Sequence, residues 1–240
     1  MAASRTADYL CGTSLPEIRL LNVSVVQLGS MLLLGADEAG KGPVIGSMFV
    51  AGLVIEEEKL FDLAAYGVKD SKLLAPAKRE ILARKINSIA TDQYILEVKA
   101  EVIDELRLVM TMNEIMVRSF SQVVGRLQAD RAVLDAADVN AARFARAVQT
   151  LSKTTMDLIA EHRADERHMV VSAASILAKV RRDASMRELE SAMSCKIGSG
   201  YPHDKDTIAF LSNWVKENRD LPPCARHSWA TAQRIKASFI

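Results

Sequence analysis

The segment Met31-Leu32-Leu33-Leu34-Gly35-Ala36 runs directly into Asp37-Glu38-Ala39-Gly40-Lys41-Gly42-Pro43 and then into a second apolar stretch, Val44 to Ile55. The apolar runs read as buried strands, one over 31–36 and one or two over 44–55, where Gly46 and Gly52 interrupt a series rich in Val, Ile and Phe. Two adjacent carboxylates at the end of such a strand are costly if merely buried. A divalent cation removes that cost, and the glycines behind the acids let another backbone come close. Taken alone, the segment admits both an ordinary acidic turn and a metal site. The spacing of Gly35, Gly40 and Lys41 also fits a phosphate-cradling nucleotide loop. That match fails at the next two positions. Gly42 stands where a hydroxyl should meet magnesium, Pro43 has no N–H to donate, and two acids in the cradle would repel a triphosphate.

Beyond this segment, helical patterns are expected at 57–65 and at 76–90, the second opened by Pro76. A strand near 93–100 follows, with Tyr94, Leu96 and Val98 alternating, then helices at 101–108 and 112–128. A short strand over 131–136 ends in an acid, residues 141–152 read as helix and 155–160 as strand. A long helix runs from Val170 to about Met193, Gly198-Ser199-Gly200-Tyr201-Pro202 breaks the chain, and short helices occupy 204–217 and 227–237. Strands alternate with helices until the last third, which is helical alone. The expected class is therefore α/β, with residues 1–30 as an N-terminal extension, 31–193 as the catalytic domain and 194–240 as a small helical C-terminal region. Met31 reads as the authentic start, or else residues 1–30 as a loose extension.

Composition narrows the function classes. With 240 residues, 49% hydrophobic and 25% charged, the chain suits one sizeable globular domain plus an appendage. Lysine and arginine total 31 against 30 acids, for a net charge of +1, so any binding of nucleic acid must rest on local patches. Cys11, Cys195 and Cys224 lie far apart, which argues against a zinc site or a disulfide framework and suits a reducing, cytoplasmic setting. No apolar run approaches the roughly 18 residues that span a bilayer.

Further acids stand at the ends of the later strands. Asp135, in Val133-Leu134-Asp135-Ala136-Ala137-Asp138-Val139-Asn140, follows one, and Asp165, in Glu161-His162-Arg163-Ala164-Asp165, follows another. Singly, such acids are commonly turn or cap residues. Converging from several strands, they make an oxygen-rich site for magnesium or manganese. On the long helix, Ser172, Ser175, Lys179 and Arg182 fall three, four and three residues apart, so they share one face. Two hydroxyls and two cations in a stripe suit a sugar-phosphate backbone, or else a solvated face with small residues for close packing.

In this order the segments resemble type 2 ribonuclease H (RNase HII), particularly its archaeal form. The resemblance covers Met31 to Trp229 and rests on GADEAGKGPVIGS at 35–47, GVKDSK at 67–72, DAADVNAARF at 135–144, EHRADERHMVVSAASILAKVRRD at 161–183, GSGYP at 198–202 and Arg226-His227-Ser228-Trp229. It implies an RNase H-like fold with a central mixed sheet flanked by helices. It implies hydrolysis of the RNA strand of RNA–DNA hybrids, and of ribonucleotides embedded in DNA, by two divalent ions, leaving 5′-phosphate and 3′-hydroxyl ends. The four metal-binding carboxylates become Asp37, Glu38, Asp135 and Asp165, with Asp138 left out. Gly40-Lys41-Gly42 becomes the loop that recognises the 2′-hydroxyl together with Tyr201, the group that tells RNA from DNA. Lys69, Lys72, Ser172, Ser175 and Lys179 become backbone contacts. The family usually has arginine in the middle of the loop, so Lys41 is a departure that bears on lone ribonucleotides. Rival readings are a hybrid-binding module without catalysis and a nucleotide hydrolase. The expected state is a monomer, and the C-terminal Gln233 to Ile240 only loosely resembles clamp-binding tails of replication and repair proteins, so it is read as an ordinary helix end.

Overall fold

In the computed structural model, which describes residues 30–68 and 75–239, strand β1 (Leu32–Ala39) is the spine of the molecule. The continuous burial of Leu34 to Asp37 within it, and the near-complete burial of β2 (Met48–Glu56), fit strands covered on both faces. The expected strand over 44–55 starts later, and 44–47 is loop, its β pairing limited to a bridge from Ile45 to Ala225. A single 3-10 turn (Glu57–Lys59) leads into α1 (Leu60–Tyr66), and α2 (Pro76–Ile89) starts on its proline. The expected N-terminal extension, apart from Ser30, and both Lys69 and Lys72 lie outside the described residues.

Next come β3 (Asp92–Val98), α3 (Ala100–Arg107) and α4 (Met112–Arg126), the last opened by a capping box between Thr111 and Glu114. Strand β4 (Arg131–Asp135), α5 (Ala141–Ser152, capped by Asn140), β5 (Asp157–Glu161) and the four-residue α6 (Ala164–Arg167) complete the alternation. The long α7 (Met169–Met193) ends on Ser194 in the left-handed conformation. Helices α8 (Lys205–Asn218) and α9 (Ala230–Ala237) close the chain. The last helix begins three residues later than expected, because the N–H groups of His227 and Ser228 turn aside to the Asp104 carboxylate on α3 (2.6 and 2.9 Å).

The strands form one mixed sheet in the order β3-β2-β1-β4-β5. β2 is antiparallel to β1 and β3, whereas β4 is parallel to β1 and β5. One face packs on α4 and α5, with Phe120 and Phe144 edge to face at 5.2 Å. The other face packs on α2 and α7. Each fully buried aliphatic or aromatic side chain contributes roughly 1.5–3 kcal/mol. The Ala173, Ala174 and Ala178 side of α7 is small, and a Cβ on Gly35 would sit 2.4 Å from the carbonyl carbon of Val170. The helix therefore crosses β1 at backbone distance. A third cluster gathers Val44, Ile45, Met186, Leu211, Val215 and Ala232, joining the C-terminal helices to the loop after β1.

Candidate active site

Asp37 and Glu38 are strand residues, not turn residues, because β1 continues three positions past the expected end, through both acids to Ala39. The parallel register pairs Ala36 with Leu134, so the next positions, Asp37 and Asp135, stand side by side at the ends of adjacent central strands. Carboxylate oxygens of Asp37, Glu38 and Asp135 lie within 4.8 Å of one another. Asp37 is only 4% exposed.

The electrostatics of this trio are unfavourable by construction. Burial pushes the Asp37 carboxyl up to about 6, with a further rise from Asp135, opposed by a hydrogen bond from Ser175. Burial and the neighbouring Asp37 charge push Glu38 up to about 8, against the pull of Lys41. One buried Glu38 oxygen, Oε2, has no hydrogen-bond partner among the described residues. Three crowded oxygen donors and an orphaned acceptor fit a hard divalent cation. Asp135 is held in turn by the Ala164 N–H (2.8 Å) at the start of α6. Asp165, the next residue, is buried in that short helix and is not part of the close trio.

A groove of about 370 Å3 opens over Glu38. Its walls carry Gly40, Lys41 and Gly42 from the loop, Arg79 from α2, Lys179, Arg182 and Asp183 from α7, and Tyr201. The near-neutral chain thus concentrates four cations beside its acidic centre. Gly40 has φ +86°, and a Cβ there would sit 2.9 Å from the Ser47 carbonyl, so the turn requires glycine. The Arg182 guanidinium lies 5.1 Å from the Tyr201 ring centroid, and the Tyr201 ring edge faces Gly42. Lys41 Nζ donates to the Ala137 carbonyl (2.6 Å), strapping the loop to the segment after β4.

The shared helix face of Ser172, Ser175, Lys179 and Arg182 exists, but its two ends differ. Ser172 is buried and donates to the Val68 carbonyl (2.9 Å), and Ser175 is buried between Asp37 and Lys179, whose Nζ donates to its hydroxyl (2.7 Å). Both serines expected to touch a sugar-phosphate backbone have intramolecular partners, because α7 lies too near β1 for that end of the face to reach solvent. Lys179 and Arg182, further along, do line the groove. Asp138 has a different task. It accepts two bonds from the Arg143 guanidinium (2.7 and 2.8 Å) and one from the Asn140 N–H, which hold its carboxyl below the usual range.

Sequence reasoning did not single out Arg79, whose guanidinium pairs with Asp183 at 2.7 Å, or Arg226, which is 0% exposed. The signal for Arg79 was faint: one arginine in the first turn of a helix opened by proline. Arg226 stood in a quoted motif with no physical reason attached to it.

A mixed sheet in this order, covered by helices on both faces and carrying acids at the ends of its central strands, defines the class: an RNase H-like fold. The chain belongs to the ribonuclease HII family, whose model matches residues 34–232. The ribonuclease HII of Methanothrix thermoacetophila is 63% identical over 210 residues, covering 88% of this chain and all of that one. The crystal structure of ribonuclease H2 from Pyrococcus horikoshii OT3 superposes with a TM-score of 0.82 at 40% identity, covering 87% of this chain and 99% of that one. The RNase HII of Archaeoglobus fulgidus, solved in complex with PCNA, gives 0.77 at 37% identity, with 83% and 95% covered. No helix among the described residues is long and apolar enough to cross a membrane.

Proposed function

We propose that this ribonuclease is an endonuclease that hydrolyses the RNA strand of RNA–DNA hybrids and cuts at ribonucleotides embedded in DNA. The observation that carries the reading is the convergence of Asp37, Glu38 and Asp135 on one point at the floor of a cation-lined groove. Two divalent ions, magnesium or manganese, held by these three and by Asp165, would supply an activated water and neutralise charge on the leaving 3′-oxygen. The products then carry 5′-phosphate and 3′-hydroxyl ends.

The chain's own groups do the rest. Lys179, Arg182 and Arg79 offer cations to the phosphates of a duplex lying in the groove, with Lys69 and Lys72 as further proposed contacts. The Gly40-Lys41-Gly42 backbone, packed against Tyr201, meets the ribose at the cleaved bond. The Lys41 ammonium is engaged with Ala137, which favours a reading in which the loop's main chain, rather than side chain 41, contacts the sugar. A monomer acting in the cytoplasm during replication and repair suits this activity. A sliding clamp is proposed as a partner on the ground that the A. fulgidus relative was solved with PCNA. Clamp binding through the C-terminal segment would first require Ile235 and Phe239 to leave the third core cluster.

The test is a labelled RNA–DNA duplex incubated with magnesium or manganese, wild type beside Asp37→Asn. Cleavage by wild type and not by the variant supports the reading. Persistent cleavage by the variant would sink the metal-site assignment, and an inactive wild type would favour a binding module.

A further inference from the structure

Arg226 is the largest fully buried side chain among the described residues, and its hydrogen-bond acceptors are main-chain carbonyls. Nη2 donates to Gly40 O (2.6 Å), Nη1 to Lys41 O (2.9 Å) and Nε to Gly46 O (3.0 Å). Trp229, whose ring lies 4.9 Å from the same guanidinium, donates its indole N–H to Gly42 O (3.3 Å). Three consecutive loop carbonyls are thus turned towards the C-terminal segment by two side chains more than 180 positions away. Burial lowers the Arg226 pKa to about 10, which leaves it charged at neutral pH. A buried charge bonded to neutral carbonyls is an expensive way to fill space, and an apolar side chain of similar volume would do that more cheaply.

The consequence lies on the other side of each peptide plane. In a trans peptide the carbonyl of one residue and the N–H of the next point in opposite directions, and the chain has no cis peptide bonds among the described residues. Holding the Gly40 carbonyl inward turns the Lys41 N–H outward, and holding the Lys41 carbonyl inward turns the Gly42 N–H outward. Neither N–H has an acceptor among the described residues, and both residues line the groove over Glu38. The next residue, Pro43, has no N–H at all. We propose that Arg226, assisted by Trp229, is a positioning residue that aims the Lys41 and Gly42 N–H groups, as a fixed pair of donors, at an oxygen of the ribonucleotide being cut. The C-terminal segment then builds the recognition loop instead of serving as an accessory.

This inference rests on the ribonuclease reading above, and its test separates the two. Affinity for a long duplex comes from many phosphate contacts, whereas the donor pair sets where the scissile ribose sits relative to the acids. Loosening the pair therefore lowers kcat and leaves KM nearly unchanged. Arg226→Lys keeps a charge but cannot span three carbonyls, and Trp229→Phe removes only the donor to Gly42. Steady-state kinetics on an RNA–DNA duplex, beside thermal unfolding of each variant, should show Arg226→Lys losing roughly 100-fold in kcat. Trp229→Phe should show the same split at smaller amplitude, and it reads the proposal even if Arg226→Lys fails to fold. A loss matching only the unfolded fraction, or a rise in KM at constant kcat, overturns the positioning role while leaving the ribonuclease reading intact. An inactive wild type overturns the ribonuclease reading and this inference with it.

Discussion

The acidic centre and the glycine loop lie side by side yet are held in opposite ways. Asp37, Glu38 and Asp135 are set by the register of two neighbouring strands and are crowded against their own electrostatic preference. The loop at 40–46 is over-determined: Arg226, Trp229, Gly200 and Cys224 all bond its main chain. The centre stores unfavourable charge that a bound cation would relieve, while the loop invests its contacts in rigidity. Chemistry and recognition thus place different demands on adjacent residues.

The comparison breaks most sharply at Asp37. Replacing it with Asn should reduce cleavage of an RNA–DNA duplex by more than about 100-fold, the upper end of what losing a metal's outer-shell partner costs. The same variant should unfold at a higher temperature than wild type in chelator, because a buried repulsion is gone. Loss of activity without that gain in stability would contradict the picture of a strained centre. Gly35→Ala attacks the shared foundation of both regions. A Cβ there meets the Val170 backbone at 2.4 Å, so stability in urea should fall by about 3 kcal/mol or more.

A milder effect should follow pH. The Asp37 and Glu38 pKa values lie above their ordinary values of 3.8 and 4.5, at about 6 and about 8, so between those limits the folded chain binds more protons than the unfolded one. Stability of the metal-free protein should therefore be highest near pH 4, about the ordinary carboxylate values, and fall as pH rises towards 8. Asp204, depressed to about 2, acts only at lower pH and does not oppose this trend. Thermal unfolding in chelator at pH 5.5 and 8 checks it, and Asp37→Asn should flatten the slope. The smallest change is expected at Lys41→Arg. Because the main chain carries recognition in the proposed reading, kcat/KM on a DNA duplex with a single ribonucleotide should move by less than tenfold, about 1.4 kcal/mol. A larger shift would return the reading of the sugar to side chain 41.

Much of this was legible in the chain. The alternating pattern around Tyr94, Leu96 and Val98 marked β3, Pro76 marked the start of α2, and the acids at 37, 38 and 135 stood at strand ends. Hydrophobic period and turn chemistry are local signals, so a local reading finds them. Less legible were the inward turn of Ser172 and Ser175, the placement of Asp165 in a short helix beside the trio, and the non-helical start of the last segment at Arg226 to Trp229. The serines and the last segment depend on partners from distant parts of the chain: Val68 for Ser172, Asp37 for Ser175, and Asp104 for the N–H groups at 227 and 228.

The sequence by itself determined the inventory: a strand ending in two acids, a third acid at the end of a later short strand, a long helix bearing cations and a glycine loop between strands. It did so because backbone period and side-chain chemistry act over a few residues. Only the tertiary structure decided which acids converge, which hydroxyls are buried and which way the loop's peptides face. Those outcomes depend on strand register, on a helix crossing at backbone distance and on a buried guanidinium bonding carbonyls about 180 residues away, and none of these carries a local periodic signature.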